Sequence, residues 1–176
     1  MLSATCTVSQ QIYSDSSFEV FEGTWGDERK PAVFKVLKSE FPSSRELASL
    51  RHEYNVLREL DVEGVVKAYG LEKHKNGLAL VLERPSRTTL HDVLRAGRLE
   101  LKPALTIARS AARVLDEIHR RKVIHKDVKP HNLLVDPDSL KVHFVGFGIA
   151  TLLPQETQQA VSPEALEGTL AYMSPG

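Results

Sequence analysis

Apolar and polar positions change rhythm twice along this chain. Phe18-Glu-Val-Phe21 and Ala32-Val-Phe-Lys-Val-Leu37 are dense in β-formers and predict two strands. The charged, turn-like stretch from Gly23 to Pro31 predicts the loop between them. Pro42 ends this region, and Ser43 with Glu46 has the spacing of a capping box ahead of a helix. That helix is expected to carry Leu47, Leu50, Tyr54, Leu57 and Leu60 on one face. Two further strands are predicted over Val65–Tyr69 and Leu78–Glu83, with Asn76-Gly77 as the hairpin signal before the second.

From Pro85 the pattern turns helical. The stretch PSRTT reads as a linker, and Thr89 suits the cap of a short helix that stops near Gly97. A longer helix is predicted from Pro103, with Ala104, Ile107, Ala108, Ala111, Ala112, Leu115 and Ile118 as its core-facing stripe. Short strands over Leu133–Val135 and Val142–Val145 flank the turn Asp136-Pro-Asp-Ser139. The end, from Pro154, reads as loop.

Composition narrows the class. The chain has 176 residues, 41% hydrophobic and 26% charged, which is ordinary globular usage and excludes collagen, coiled coil and wholesale disorder. Its 23 basic side chains balance 23 acidic ones, so no global field draws it to nucleic acid or an anionic membrane. No apolar run approaches the roughly 18 residues of a membrane span. The start, MLSATCTVSQQ, has no secretory pattern, and Cys6 has no second cysteine to pair with. A cytoplasmic location is the expectation, with Cys6 an inert thiol.

The chemistry concentrates in His125-Lys126-Asp127-Val128-Lys129-Pro130-His131-Asn132, directly after the long helix and before a β-hairpin. The segment resembles the catalytic loop H-R-D-x-K-P-x-N of eukaryotic-type (Hanks-type) Ser/Thr protein kinases. Phosphoryl transfer, which that resemblance implies, needs a group to accept a hydroxyl proton, a cation on the moving charge and a metal ligand. A loop lets such side chains converge, whereas a helix fans neighbouring residues apart. The resemblance implies Asp127 as catalytic base, Lys129 at the γ-phosphate and Asn132 as a magnesium (Mg2+) ligand. A bland charged turn would not place these types at this spacing and then return to Leu-Leu-Val.

Ala32-Val33-Phe34-Lys35 is similar to the family's V-A-I-K strand. A lysine inside an apolar strand is costly without a partner. Glu53, 18 residues on in the following helix, suits the role of its paired glutamate. The pair is expected to hold Lys35 toward the phosphates of ATP. Glu83 to Pro85 resembles the hinge that bonds adenine through backbone groups, with Leu82 as gatekeeper.

Three departures from the family stand out. Tyr13-Ser-Asp-Ser-Ser-Phe-Glu-Val20 lies where a Gly-rich phosphate loop is expected and contains no glycine, leaving Ser16 and Ser17 as donors for a weaker clamp. Gly146-Phe147-Gly148 stands where D-F-G is expected, so the principal metal carboxylate is missing. Asp136 and Asp138 are the nearby carboxylates able to replace it. Gly168-Thr-Leu-Ala-Tyr-Met-Ser-Pro-Gly176 resembles the segment ending in A-P-E, with Gly for Glu. The later large-lobe helices are then expected to be absent, leaving a helix flank bare.

The expected fold is α+β, a protein-kinase-like bilobal fold with a complete β-rich small lobe and a partial helical large lobe. Its expected division is an N-terminal extension over 1–11, the small lobe over 12–84 and the partial large lobe over 85–176. The function implied is ATP- and magnesium-dependent phosphorylation of protein Ser/Thr hydroxyls, impaired as the sequence stands. The alternative is a pseudokinase acting as a nucleotide-binding or scaffolding module. A small-molecule kinase fits less well, because Lys129-Pro130 and the Gly-Thr-x-x-Tyr-x-Ser-Pro segment resemble protein kinases specifically. Partners implied are a protein substrate and further domains or helices of a larger regulator, with no nucleic acid and no membrane span.

Overall fold

The computed structural model describes residues 6–86, 88–153 and 168–173. It divides into two compact units, one of Met1–Glu59 with Val66–Arg84, the other of Leu60–Val65 with Pro85–Gly176. Most of the expected loop from Pro154, and the Gly-for-Glu position at Gly176, lie outside the described residues.

The first unit is a five-stranded antiparallel sheet with one helix. Its strands are β1 (Thr7–Ser14), β2 (Phe18–Trp25), β3 (Lys30–Leu37), β4 (Ala68–His74) and β5 (Gly77–Glu83), in spatial order β1-β2-β3-β5-β4. β3 alternates as a central strand should: Ala32, Phe34 and Val36 are buried on one face. Phe34 and Val81 form a cluster with Ala32, closed by Phe21, Trp25, Tyr69 and Cys6. Burial of a phenylalanine of this kind contributes about 1.5–3 kcal/mol. The Trp25 and Tyr69 rings stack at 5.2 Å over this face.

The sequence does not announce β1, which it assigns largely to an extension. All eight of its residues are exposed, so no alternation marks them. The β4–β5 reversal also falls one residue earlier than the Asn76-Gly77 signal: Lys75 takes the left-handed conformation (φ 51°) and Gly77 already pairs with His74.

Helix α1 (Ser44–Glu59) starts as expected, with Ser43 N–H donating to Glu46 Oε2 (2.8 Å) and Glu46 N–H to Ser43 Oγ (3.3 Å). Its buried face is Leu50, Glu53, Val56 and Leu57, so a carboxylate takes a core position. Leu47 and Tyr54 are only half-buried, and Leu60 lies beyond the helix end.

The second unit holds α2 (Leu90–Ala96), α3 (Leu101–Arg120) and the short pairs β6 (Val123–Ile124) with β9 (Thr151–Leu152) and β7 (Leu133–Val135) with β8 (Val142–Phe144). Thr89 caps α2 as expected, in a reciprocal box with Asp92. In α3 the buried line is Ile107, Val114 and Ile118, while Ala108 and Ala112 face outward. Gly64, from outside the helix, packs against this line so tightly that a β-carbon there would sit 2.4 Å from Val114 Cγ2. Among the described residues, no helix is long and apolar enough to cross a membrane.

Candidate active site

In the first unit, β3 aims Lys35 at α1. Its Nζ lies 2.7 Å from Glu53 Oε2, with side chains 18% and 2% exposed. A pair this dry is held by Coulomb attraction at low effective dielectric, against a large desolvation cost. Glu53 Oε1 is buried without a hydrogen-bond partner. The Phe18 ring covers the same ammonium, its centroid 4.3 Å from Nζ.

The turn joining β1 to β2 is closed by Asp15. Its Oδ1 accepts from the backbone N–H of Ser17 (2.8 Å) and Phe18 (2.7 Å). Partial desolvation pushes this carboxyl up, but the Phe18 and Ser17 bonds outweigh it and hold it below the usual range. The hinge stretch straddles the two units. Glu83 N–H donates to Lys67 O (2.8 Å), and Pro85 has no N–H to give. Leu82 is buried, and Arg84 makes a buried ion pair with Glu22 that sequence reading missed. Nothing local signals it, because β2 lies some sixty residues away in sequence.

In the second unit the loop after β6 gathers a dense polar network. His125 is buried between the edges of Phe144 and Phe147. Its Nδ1 accepts from Asp127 N–H at 3.2 Å, which leaves the proton on Nε2, 3.0 Å from Val145 O. That ring therefore clamps the backbone of Asp127. Asp127 Oδ2 receives Asn132 Nδ2 and Lys129 Nζ, each at 2.8 Å. Thr169 donates to Oδ1 at 2.6 Å and accepts from Lys129 at 2.9 Å. Burial raises the Asp127 carboxyl, but the Lys129, Thr169 and Asn132 contacts win and hold it below the usual range. It is ionised at neutral pH. A carboxylate has about four acceptor sites, so these three donors leave one on Oδ1 for an incoming hydroxyl.

The structure thus brings Asp127, Lys129 and Asn132 together in one unit and Lys35 with Glu53 in the other. Thr169 was missed as a member, although it lies in a quoted segment, because nothing in the sequence fixes a contact across 42 residues. His131 was likewise not expected to stack on His91 (3.8 Å between centroids); burial, then His91 and Lys129, lower its pKa.

The residues present do not fit the magnesium ion that the resemblance implies. Gly146, at φ +85°, offers no carboxylate, and Asn132 fills the space beside it: a β-carbon at 146 would lie 2.8 Å from Asn132 Oδ1. Asp136 Oδ1 closes its own turn, accepting from the Asp138 and Ser139 N–H groups and the Ser139 hydroxyl. Among the described residues there is no cluster of three His, Cys, Asp or Glu side chains able to hold a metal.

Comparison with known proteins bears on the family. The family model described as protein kinase domain matches residues 8–176, taking in nearly all of β1. The leaf rust 10 disease-resistance locus receptor-like protein kinase-like 1.4 of Arabidopsis thaliana is 30% identical over 98% of the chain. The serine/threonine-protein kinases PrkC of Bacillus subtilis and PknA of Mycobacterium tuberculosis are 30% and 36% identical over 83% and 84% of it. The chain spans only 26%, 22% and 35% of these three relatives' lengths.

Proposed function

Because the chain belongs to the protein kinase family, whose members use ATP and magnesium to phosphorylate proteins, we propose that it is a Ser/Thr protein kinase domain with impaired phosphoryl transfer. The observation that carries this reading is the Asp127 carboxylate, ionised, oriented by three donors and left with an acceptor site. In the intact reaction Asp127 receives the proton of a substrate Ser or Thr hydroxyl, and Lys129 places positive charge beside the transferring group. Lys35, fixed by Glu53, supplies a cation for nucleotide phosphate. Glu83 and Pro85 belong to the stretch read as the adenine-facing hinge; the Glu83 N–H is engaged by Lys67 O, and Pro85 has no N–H to give. Asn132, the metal ligand that the resemblance implies, is turned toward Asp127. The lone Cys6, with no second cysteine to pair with, supports reading this as a cytoplasmic domain.

Gly146 favours a second reading, a pseudokinase that binds nucleotide or partners without transferring phosphate. Metal neutralisation is worth several kcal/mol, and each 1.36 kcal/mol is about tenfold in rate, so roughly three decades or more are forfeited without it. The test is phosphotransfer from radiolabelled ATP to a generic protein substrate, with Asp127→Asn as background. A rate above that background supports the impaired kinase; a rate equal to it leaves the pseudokinase.

A further inference from the structure

A phosphate-binding turn works by aiming free backbone N–H groups at an anion, with a nearby ammonium to balance the charge. Here both elements are already engaged within the first unit. The N–H groups of Ser17 and Phe18, at the end of the β1–β2 turn, point at Asp15 Oδ1 at 2.8 and 2.7 Å. The turn is closed a second time by Asp15 N–H donating to Phe18 O at 3.0 Å. Lys38 Nζ reaches the same turn, 3.4 Å from Ser14 Oγ and from Asp15 O. The ammonium of Lys35 lies between Glu53 and the face of the Phe18 ring. Lys35 also acts on Asp15 through its charge.

We propose that the Asp15 carboxylate is a built-in substitute for a nucleotide phosphate, which closes the β1–β2 turn on itself and denies polyphosphate the turn amides and Lys35. The chain therefore discriminates against triphosphate, and ATP gains nothing over an uncharged nucleoside. The physical reason is twofold. An incoming phosphate must displace an anion already hydrogen-bonded to the amides, and it must approach a fixed negative charge. The Phe18 ring adds a steric cover over the one lysine that the phosphates need. This inference rests on the reading of Lys35 as a phosphate-facing residue.

The experiment is calorimetric titration of the full chain with adenosine and with ATP, without magnesium. It is run for the given sequence, for Asp15→Gly and for Asp15→Asn. The expected result is dissociation constants for ATP and adenosine within about threefold of each other in the given chain. Asp15→Gly then tightens ATP by about tenfold or more and leaves adenosine unchanged. Asp15→Asn keeps an oxygen for the two amides and loses only the charge, so it tightens ATP by a smaller factor and guards against a misfolded glycine variant. ATP binding unchanged in both variants overturns the inference and makes Asp15 an ordinary turn cap. ATP already binding tenfold tighter than adenosine in the given chain overturns it as well. Failure of adenosine to bind any of the three proteins instead counts against the nucleotide reading, and a gain in ATP binding at Asp15→Gly still upholds the inference.

Discussion

Thr169 donates its hydroxyl proton to Asp127 Oδ1 at 2.6 Å, across 42 residues of sequence. The same hydroxyl accepts from Lys129 at 2.9 Å, so one side chain ties the carboxylate and its cation to the segment after residue 167. Thr169→Val keeps the shape and removes both bonds. Hydrogen bonds to charged groups contribute about 1.5–3 kcal/mol, and partial exposure puts this one near 1–2 kcal/mol.

The pH dependence of that loss follows from the direction of the Asp127 shift. Its folded pKa lies below the unfolded value of about 3.9, so its stabilisation is present above that pH and is lost as pH falls through the folded pKa. Thr169→Val should therefore differ most from the parent chain at pH 6–7 and converge with it in strong acid. Urea unfolding of both proteins at pH 7 and below pH 3 measures this; an equal gap at both ends contradicts it.

Lys35 and Glu53 should behave as a buried pair. Removing one partner leaves an uncompensated charge, which costs about 3–5 kcal/mol, and Glu53→Gln belongs at the low end because Lys35 is 18% exposed. Replacing both, as Lys35→Met with Glu53→Leu, should cost far less than the sum of the single changes. A double-mutant cycle by denaturant unfolding reads the coupling, and strict additivity would rule the pair out as a structural unit.

What could be read from the sequence was what is local in it. The run from His125 to Asn132 carries its site in eight consecutive residues, and the Ser43/Glu46 box and the Thr89 cap each act within four. Lys35 was legible because an ammonium in an apolar strand needs a partner. The remainder depends on distant chain. β1 hides because an edge strand with eight exposed residues leaves no alternation, and its pairing with β2 is mostly a backbone matter. The α3 seam includes Val114, on which Gly64 docks from outside the helix, while Ala108 and Ala112 are exposed. The Glu22–Arg84 and Thr169–Asp127 contacts have no local signal at all.

The outward face of α3 gives a solubility prediction. Leu101 and Leu105 are 74% and 60% exposed, with Ala108 and Ala112 on the same side. An apolar stripe of this kind favours self-association. Leu101→Lys with Leu105→Lys should raise the soluble, monomeric fraction in sedimentation velocity and shift stability by no more than about 0.5 kcal/mol. A large loss of stability would mean the stripe is covered in solution.

Gly146 offers the sharpest test of how this site has settled. Restoring an acid there is the simplest repair on paper, yet the geometry opposes it. The backbone at 146 is left-handed, φ +85°, which costs an L-residue about 1–2 kcal/mol. A β-carbon would also meet Asn132 at 2.8–3.0 Å, and Asn132 is held in place by Asp127 through two hydrogen bonds of 2.8 Å. Gly146→Ala should therefore destabilise by about 2 kcal/mol, most of it strain with no compensation. Gly146→Asp should lose a comparable amount in metal-free buffer, since aspartate tolerates the left-handed region better but still displaces Asn132. Magnesium then separates the two: the parent chain and Gly146→Ala should melt at the same temperature with and without it, while Gly146→Asp should gain a magnesium-dependent upward shift in the presence of ATP. Adding Asn132→Ala to Gly146→Ala should recover the contact component and leave the dihedral component. Full additivity of those two substitutions would show that Asn132 does not occupy the space of the missing carboxylate.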